Sequence, residues 1–189
     1  KTQPENIAFL EQLRAQLDEF GAVSIGEISS DDALAQMNEY MAGGNKLHMA
    51  YSFNFLTPVF TATHIRTQVE DFERRVREGW ASWSVGNHDA IRVMTRWGGP
   101  HATAGFAKMV LAMQLSLKGT PCLYQGDELA LHEADVPFEL LQDPYGKTFW
   151  PEFKGRDGCR TPMPWVADAP HAGFTDGQPW LPVDAAHVK

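Results

Sequence analysis

Four short apolar runs punctuate the chain, at residues 22–28 (AVSIGEI), 49–55 (MAYSFNF), 81–85 (ASWSV) and 120–124 (TPCLY). Each is sized for a β-strand, and the first is apolar enough for burial on both faces. Helix-patterned stretches alternate with them. Residues 6–20 carry Ile7, Leu10, Leu13, Leu17 and Phe20 at three- and four-residue spacings, and Gly21 stops the pattern. Residues 31–41 are entered through Ser29, Ser30 and Asp31 as capping residues and end at Gly43 and Gly44. Residues 63–78 are charged and amphipathic, and residues 105–117 are apolar enough for a buried helix. Helix and strand in strict alternation predict an α/β fold, a parallel sheet covered by helices. Four such units suit half of an eight-stranded barrel as well as an open sheet, and periodicity does not choose between them.

Beyond Leu131 the character changes. Pro, Gly and aromatic residues dominate, with Trp150, Trp165 and Trp180 spaced through a long irregular segment. A loop of that length inside a domain usually has a function. The predicted organisation is one domain over residues 1–189, with four βα units in 1–130 and the long loop in 131–189. The formal net charge of −8 argues against nucleic acid or an anionic membrane surface as a partner, since both select clustered Lys and Arg. A neutral substrate is compatible with it. Cys122 and Cys159 give no disulfide framework and read as reduced thiols. No apolar stretch reaches the roughly 20 residues of a membrane span. No charged start followed by an apolar run opens the chain, so a cytoplasmic location is expected.

The most informative polar residues stand where buried strands end. The first strand carries Glu27, the third runs into Asn87-His88-Asp89, and the fourth into Gln125, Asp127 and Glu128. In parallel α/β folds the carboxyl ends of the strands form the active-site mouth, so acids from separate strands converge there. An ionised acid on a buried strand is costly unless it is paired or used. Converging like charges also raise one another's pKa, which keeps one acid protonated near neutrality. Plainer roles fit the same residue types. Glu27 serves equally as a helix cap or an arginine partner, His88 as a satisfied loop histidine, and Asp127-Glu128 as a helix-start pair. The tryptophans serve as core as readily as sugar platforms.

Three stretches, in order and spacing, resemble the α-amylase superfamily and within it the α-glucosidase and oligo-1,6-glucosidase branch. Ser24-Ile25-Gly26-Glu27-Ile28 is similar to that family's strand-five segment, and Val85-Gly86-Asn87-His88-Asp89 to its strand-seven segment. Gly119-Thr120-Pro121 through Tyr124-Gln125-Gly126-Asp127-Glu128 is similar to strand eight and its turn. The stretch Arg156-Asp157-Gly158-Cys159-Arg160-Thr161-Pro162-Met163-Pro164-Trp165 is typical of the glucosidase branch. The resemblance implies a (β/α)8 TIM barrel, of which this chain holds only the second half, about strands five to eight and the loop after strand eight.

By position, the resemblance implies that Glu27 is the general acid/base. Asp89 is then the further carboxylate that binds hydroxyls of the glucosyl ring, with His88 donating in the same subsite. Asn87 braces the loop, Arg160 holds the non-reducing-end glucose, and Arg156 stands at the rim. Retaining glycosidases need a nucleophile about 5–5.5 Å from the acid/base. The family's nucleophile is an Asp two residues after an Arg at the end of strand four, and nothing in this chain matches it. The implied activity is retaining hydrolysis of terminal α-linked glucose from short oligosaccharides or α-glucosides. The missing half-barrel would be supplied in cis or in trans, and the isolated chain would be inactive. No cofactor and no metal ligand are expected among these residues. The same acids serve transglucosylases and sucrose isomerases of the family. Related barrels that act as non-catalytic partner subunits have lost catalytic acids, whereas Glu27 and Asp89 are kept here. A carbohydrate-binding module is disfavoured, because such modules are mostly β-sandwiches.

Overall fold

The structure, a computed structural model, describes residues 3–188. It divides into two compact units, Lys1–Val85 with Ala112–Cys122, and Gly86–Leu111 with Leu123–Lys189.

The first unit holds every strand found among the described residues. β1 (Ile25–Ile28) pairs in parallel with β2 (Met49–Ser52), Ile25 opposite Met49 and Glu27 opposite Tyr51. β3 (Ser82–Ser84) pairs in parallel with β4 (Thr120–Cys122), Ser82 opposite Thr120. A parallel bridge between Ala50 and Ala81 joins the two pairs. Sequential parallel strands are what the alternation predicts. Among the described residues they do not close into a barrel, because the outer edges of β1 and β4 have no strand partner.

The strands are shorter than expected, and the first is not buried on both faces: Val23 and Ile25 are exposed and Ile28 is buried. β1 is an edge strand, paired on the β2 side only among the described residues. The second run leaves the extended conformation after Ser52, and Phe53–Phe55 forms a 3-10 turn. That turn carries Phe55 onto Trp83, with ring centroids 5.2 Å apart, while Phe72 meets the same indole at 5.4 Å. Aromatic packing there replaces β pairing for the last three residues of the run.

Helix α1 (Pro4–Glu19) begins on a proline, whose missing N–H costs nothing in a first turn. α2 (Ala33–Met41) is capped by Asp32, which accepts from the Ala35 amide, and not by the three residues before it. α3 (Ala62–Arg75) is capped by Thr61. Met37 and Met41 of α2 and Phe72 of α3 are buried. α4 (Val93–Gly98) was not legible in the sequence. α5 (Ala104–Ser116) is not the fully buried helix expected: Met109 and Leu115 are exposed, while Ala107, Val110 and Gln114 are buried. Gln114 donates through Nε2 to the carbonyls of Trp83 (2.6 Å) and Cys122 (3.1 Å), tying β3 to β4 from beside the sheet. Gly119, at φ +147, lets the chain enter β4. A Cβ there would lie 2.7 Å from the Ala81 carbonyl oxygen.

The second unit is mostly irregular and is held by polar knots. Arg92 is buried. Its backbone N–H donates to Glu133 (2.7 Å), and its guanidinium donates to the carbonyls of Gln125 (2.9 Å) and Cys159 (3.1 Å) while lying over the Tyr124 ring. One residue, through its backbone and its side chain, thereby ties together three loop segments whose backbone has no ladder to join. Val136, Leu141 and Leu181 form a small apolar cluster with Trp150 against it. Residues 125–130 are turns, so Asp127 and Glu128 do not begin a helix. Their side chains accept from the Tyr124 and Gly126 amides, closing the turn on itself.

Candidate functional site

Five of the six residues singled out from the sequence lie in the second unit: Asn87, His88, Asp89, Arg156 and Arg160. Asn87 is buried and its Oδ1 accepts from the amides of Asp89 and Ala90, both at 2.9 Å. This side-chain turn sets the backbone that presents Asp89. Asp89 is partly open, its side chain 37% exposed, and its Oδ1 takes two guanidinium contacts. Arg160 reaches it through Nη2 at 2.7 Å and Arg156 through Nη1 at 3.1 Å. Arg160 also donates through Nε to the His88 carbonyl oxygen at 2.7 Å. The His88 ring is exposed, with Nε2 3.7 Å from Asp89 Oδ1. Asp89 Oδ2 has no hydrogen-bond partner among the described residues.

Glu27, the sixth, belongs to the first unit. It lies on β1 opposite Tyr51, is exposed, and follows Gly26, where a Cβ would come 2.4 Å from Leu47 Cδ1.

Sequence reasoning passed over Asp143. Its side chain has no exposed surface. Oδ2 accepts from Arg156 Nε and from the Arg156 amide, both at 2.8 Å, and Oδ1 accepts from Arg156 Nη2 at 3.0 Å and from the Tyr145 amide at 3.1 Å. The last bond caps the short helix α6 (Pro144–Thr148). The two-pronged hydrogen bond from Arg156 holds the Asp143 carboxyl down at about 2, well below its usual 3.8. The same pair raises the Arg156 guanidinium above its ordinary value. Asp157 completes the bracket: its Oδ2 accepts from the amides of Gln142 (2.6 Å) and Asp143 (2.8 Å). The Asp-Pro-x-Gly run at 143–146 announces a capped turn. Nothing in it announces the partner thirteen residues on.

Trp165 and Trp180 are 67% and 68% exposed, so they are not core, whereas Trp150 packs against the apolar cluster. Among the described residues no group of three His, Cys, Asp or Glu side chains is arranged to hold a metal ion, and no helix is long and apolar enough to cross a membrane.

Chemically, the second unit offers a carboxylate with one oxygen clamped between two arginines and the other open, beside an exposed imidazole. An open carboxylate oxygen of this kind can accept hydrogen bonds from hydroxyl groups.

The chain is 47% identical, over its whole length, to a probable α-glucosidase of Rhizobium meliloti strain 1021, of which it covers 35%. It matches the crystal structure of the α-glucosyl transfer enzyme XgtA with a TM-score of 0.92 and 59% identity, over 99% of this chain and 35% of that one. Trehalulose synthase MutB of Pseudomonas mesoacidophila matches with a TM-score of 0.81 and 25% identity, over 99% of this chain and 39% of that one. The chain thus spans little more than a third of the length of these relatives. The family model for the α-amylase catalytic domain matches residues 1–189, and the chain belongs to that family.

Proposed function

We propose that this chain supplies the general acid/base and the sugar-holding carboxylate of a retaining α-glucosidase that acts on terminal α-linked glucose. The carrying observation is the state of Asp89: Oδ1 clamped by Arg156 and Arg160, Oδ2 open. A carboxylate fixed in this way accepts from adjacent ring hydroxyls without having to reorganise. His88 donates to a further hydroxyl of the same sugar. Glu27 protonates the glycosidic oxygen as the bond breaks, then takes a proton from the water that releases the glucosyl group. The nucleophilic Asp comes from residues outside these 189, so turnover belongs to a longer polypeptide or to a complex that supplies the rest of the barrel.

The kinship of the chain with α-glucosidase-named proteins supports hydrolysis. Its 59% identity to an α-glucosyl transfer enzyme favours a second reading, in which the same acids pass glucose to a sugar acceptor in place of water. Both readings share Glu27 and Asp89 and differ in product. The test is the complete enzyme on maltose and on sucrose, with products separated. Free glucose alone supports hydrolysis, and isomers or longer sugars support transfer. Absence of any turnover of maltose, sucrose and 4-nitrophenyl α-glucoside overturns both. The 189-residue chain alone should turn over none of them.

A further inference from the structure

Asp89 is oriented by arginines, and one of those is itself held rigidly from behind. Arg156 uses Nε and Nη2 on the two oxygens of Asp143, which leaves Nη1 as the nitrogen that meets Asp89. The guanidinium plane also lies over the Tyr145 ring, 5.3 Å from its centroid, and Tyr145 stands on the helix that Asp143 caps. Asp143 thus holds one edge of the guanidinium, and a residue whose amide it caps covers one face. Asp143 is fixed in turn by Asp157 through the Gln142 and Asp143 amides. Gly155 and Gly146 let the two segments cross: a Cβ on Gly155 would lie 2.8 Å from Gly146 Cα and 3.0 Å from Asp143 Oδ2.

We infer that Asp143 is a positioning residue for sugar binding. It acts through Arg156 to hold the Asp89 carboxylate in the orientation that receives the glucosyl ring. The inference rests on the role proposed for Asp89. Arg156 is an ordinary salt-bridge partner by charge alone, but charge does not explain its geometry. A two-pronged grip on a fully covered carboxylate commits one edge of the guanidinium to a group that cannot meet substrate, and leaves Nη1 aimed at the group that can. Arginine suits this because its planar fork serves two acceptors in fixed directions, which a lysine ammonium does not.

The test is a double-mutant cycle in the complete enzyme, with 4-nitrophenyl α-glucoside as substrate. Asp143→Asn keeps the shape and the Tyr145 cap and removes the charge. It should lower kcat/KM by up to about 100-fold, with KM rising as well as kcat falling, since a binding group is mis-aimed. A purely structural defect lowers the fraction of active molecules and moves kcat alone. Arg156→Ala should give a similar loss, and the double variant should be no worse than Arg156→Ala, because both changes remove one device. Losses that multiply, or wild-type kinetics in Asp143→Asn, overturn the inference. If Asp143→Asn does not fold, Arg156→Lys carries the test: it keeps the charge without the fork and should lose activity as Arg156→Ala does, and wild-type kinetics in it overturn the inference. Unchanged activity in Asp89→Asn would instead sink the proposed role of Asp89.

Discussion

Asp127 makes the sharpest pH prediction. The side chain is 5% exposed, and burial is the main reason its carboxyl is pushed up from 3.8 to about 6. The hydrogen bond from the Tyr124 amide and the charges of Arg92 and Arg96 pull the other way and do not win. The folded-state value lies above the unfolded one. The carboxyl therefore contributes stability that is fully present below pH 4 and is lost as pH rises through about 6. A rise of roughly two units at about 1.36 kcal/mol each sets an upper limit near 3 kcal/mol. Asp127→Asn cannot ionise, yet its Oδ1 still accepts from Tyr124. It should match the wild type near pH 4 and exceed it above pH 7, by up to about 3 kcal/mol. Urea unfolding of the complete enzyme at the two pH values, followed by tryptophan fluorescence, measures the difference. A variant destabilised equally at both would mean that the ionised carboxylate is needed by Arg92 and Arg96, and the reasoning from burial would be refuted.

Two further outcomes follow from local geometry. Gly155→Ala places a side chain at φ +80 and within 3 Å of Gly146, so it should cost about 1–3 kcal/mol from the backbone alone and lower kcat/KM by loosening Arg156; thermal scanning with kinetics checks both effects. Cys159 is buried and its thiol is pushed up to about 12, chiefly by burial, so it should resist iodoacetamide at pH 8 in the folded enzyme and react after denaturation, as read by peptide mass spectrometry.

The order of strands and helices was legible because a buried strand and an amphipathic helix write different periods into the sequence. Strand ends were not, since Phe53 and Phe55 look like strand residues until the indole of Trp83 is in place to receive them. Val23 and Ile25 show the opposite limit: apolar residues promise burial but do not say which neighbour provides it. Asn87, His88 and Asp89 could be read because they adjoin in sequence. The two arginines came from the motif resemblance, and their joint hold on Asp89 from the structure alone. Asp143 was invisible for a physical reason. Its function lies in a contact with a residue thirteen positions away, across a backbone crossing that only two glycines allow, and composition carries no trace of such a contact.

The proposed function needs Glu27 as the proton donor that assists departure of the sugar leaving group. The most direct measurement compares Glu27→Gln in the complete enzyme on maltose and on 4-nitrophenyl α-glucoside. A leaving group that departs without protonation should partly escape the loss, so maltose hydrolysis should collapse while the activated substrate keeps more of its rate. Maltose hydrolysis at the wild-type rate would contradict the assignment of Glu27 as the acid.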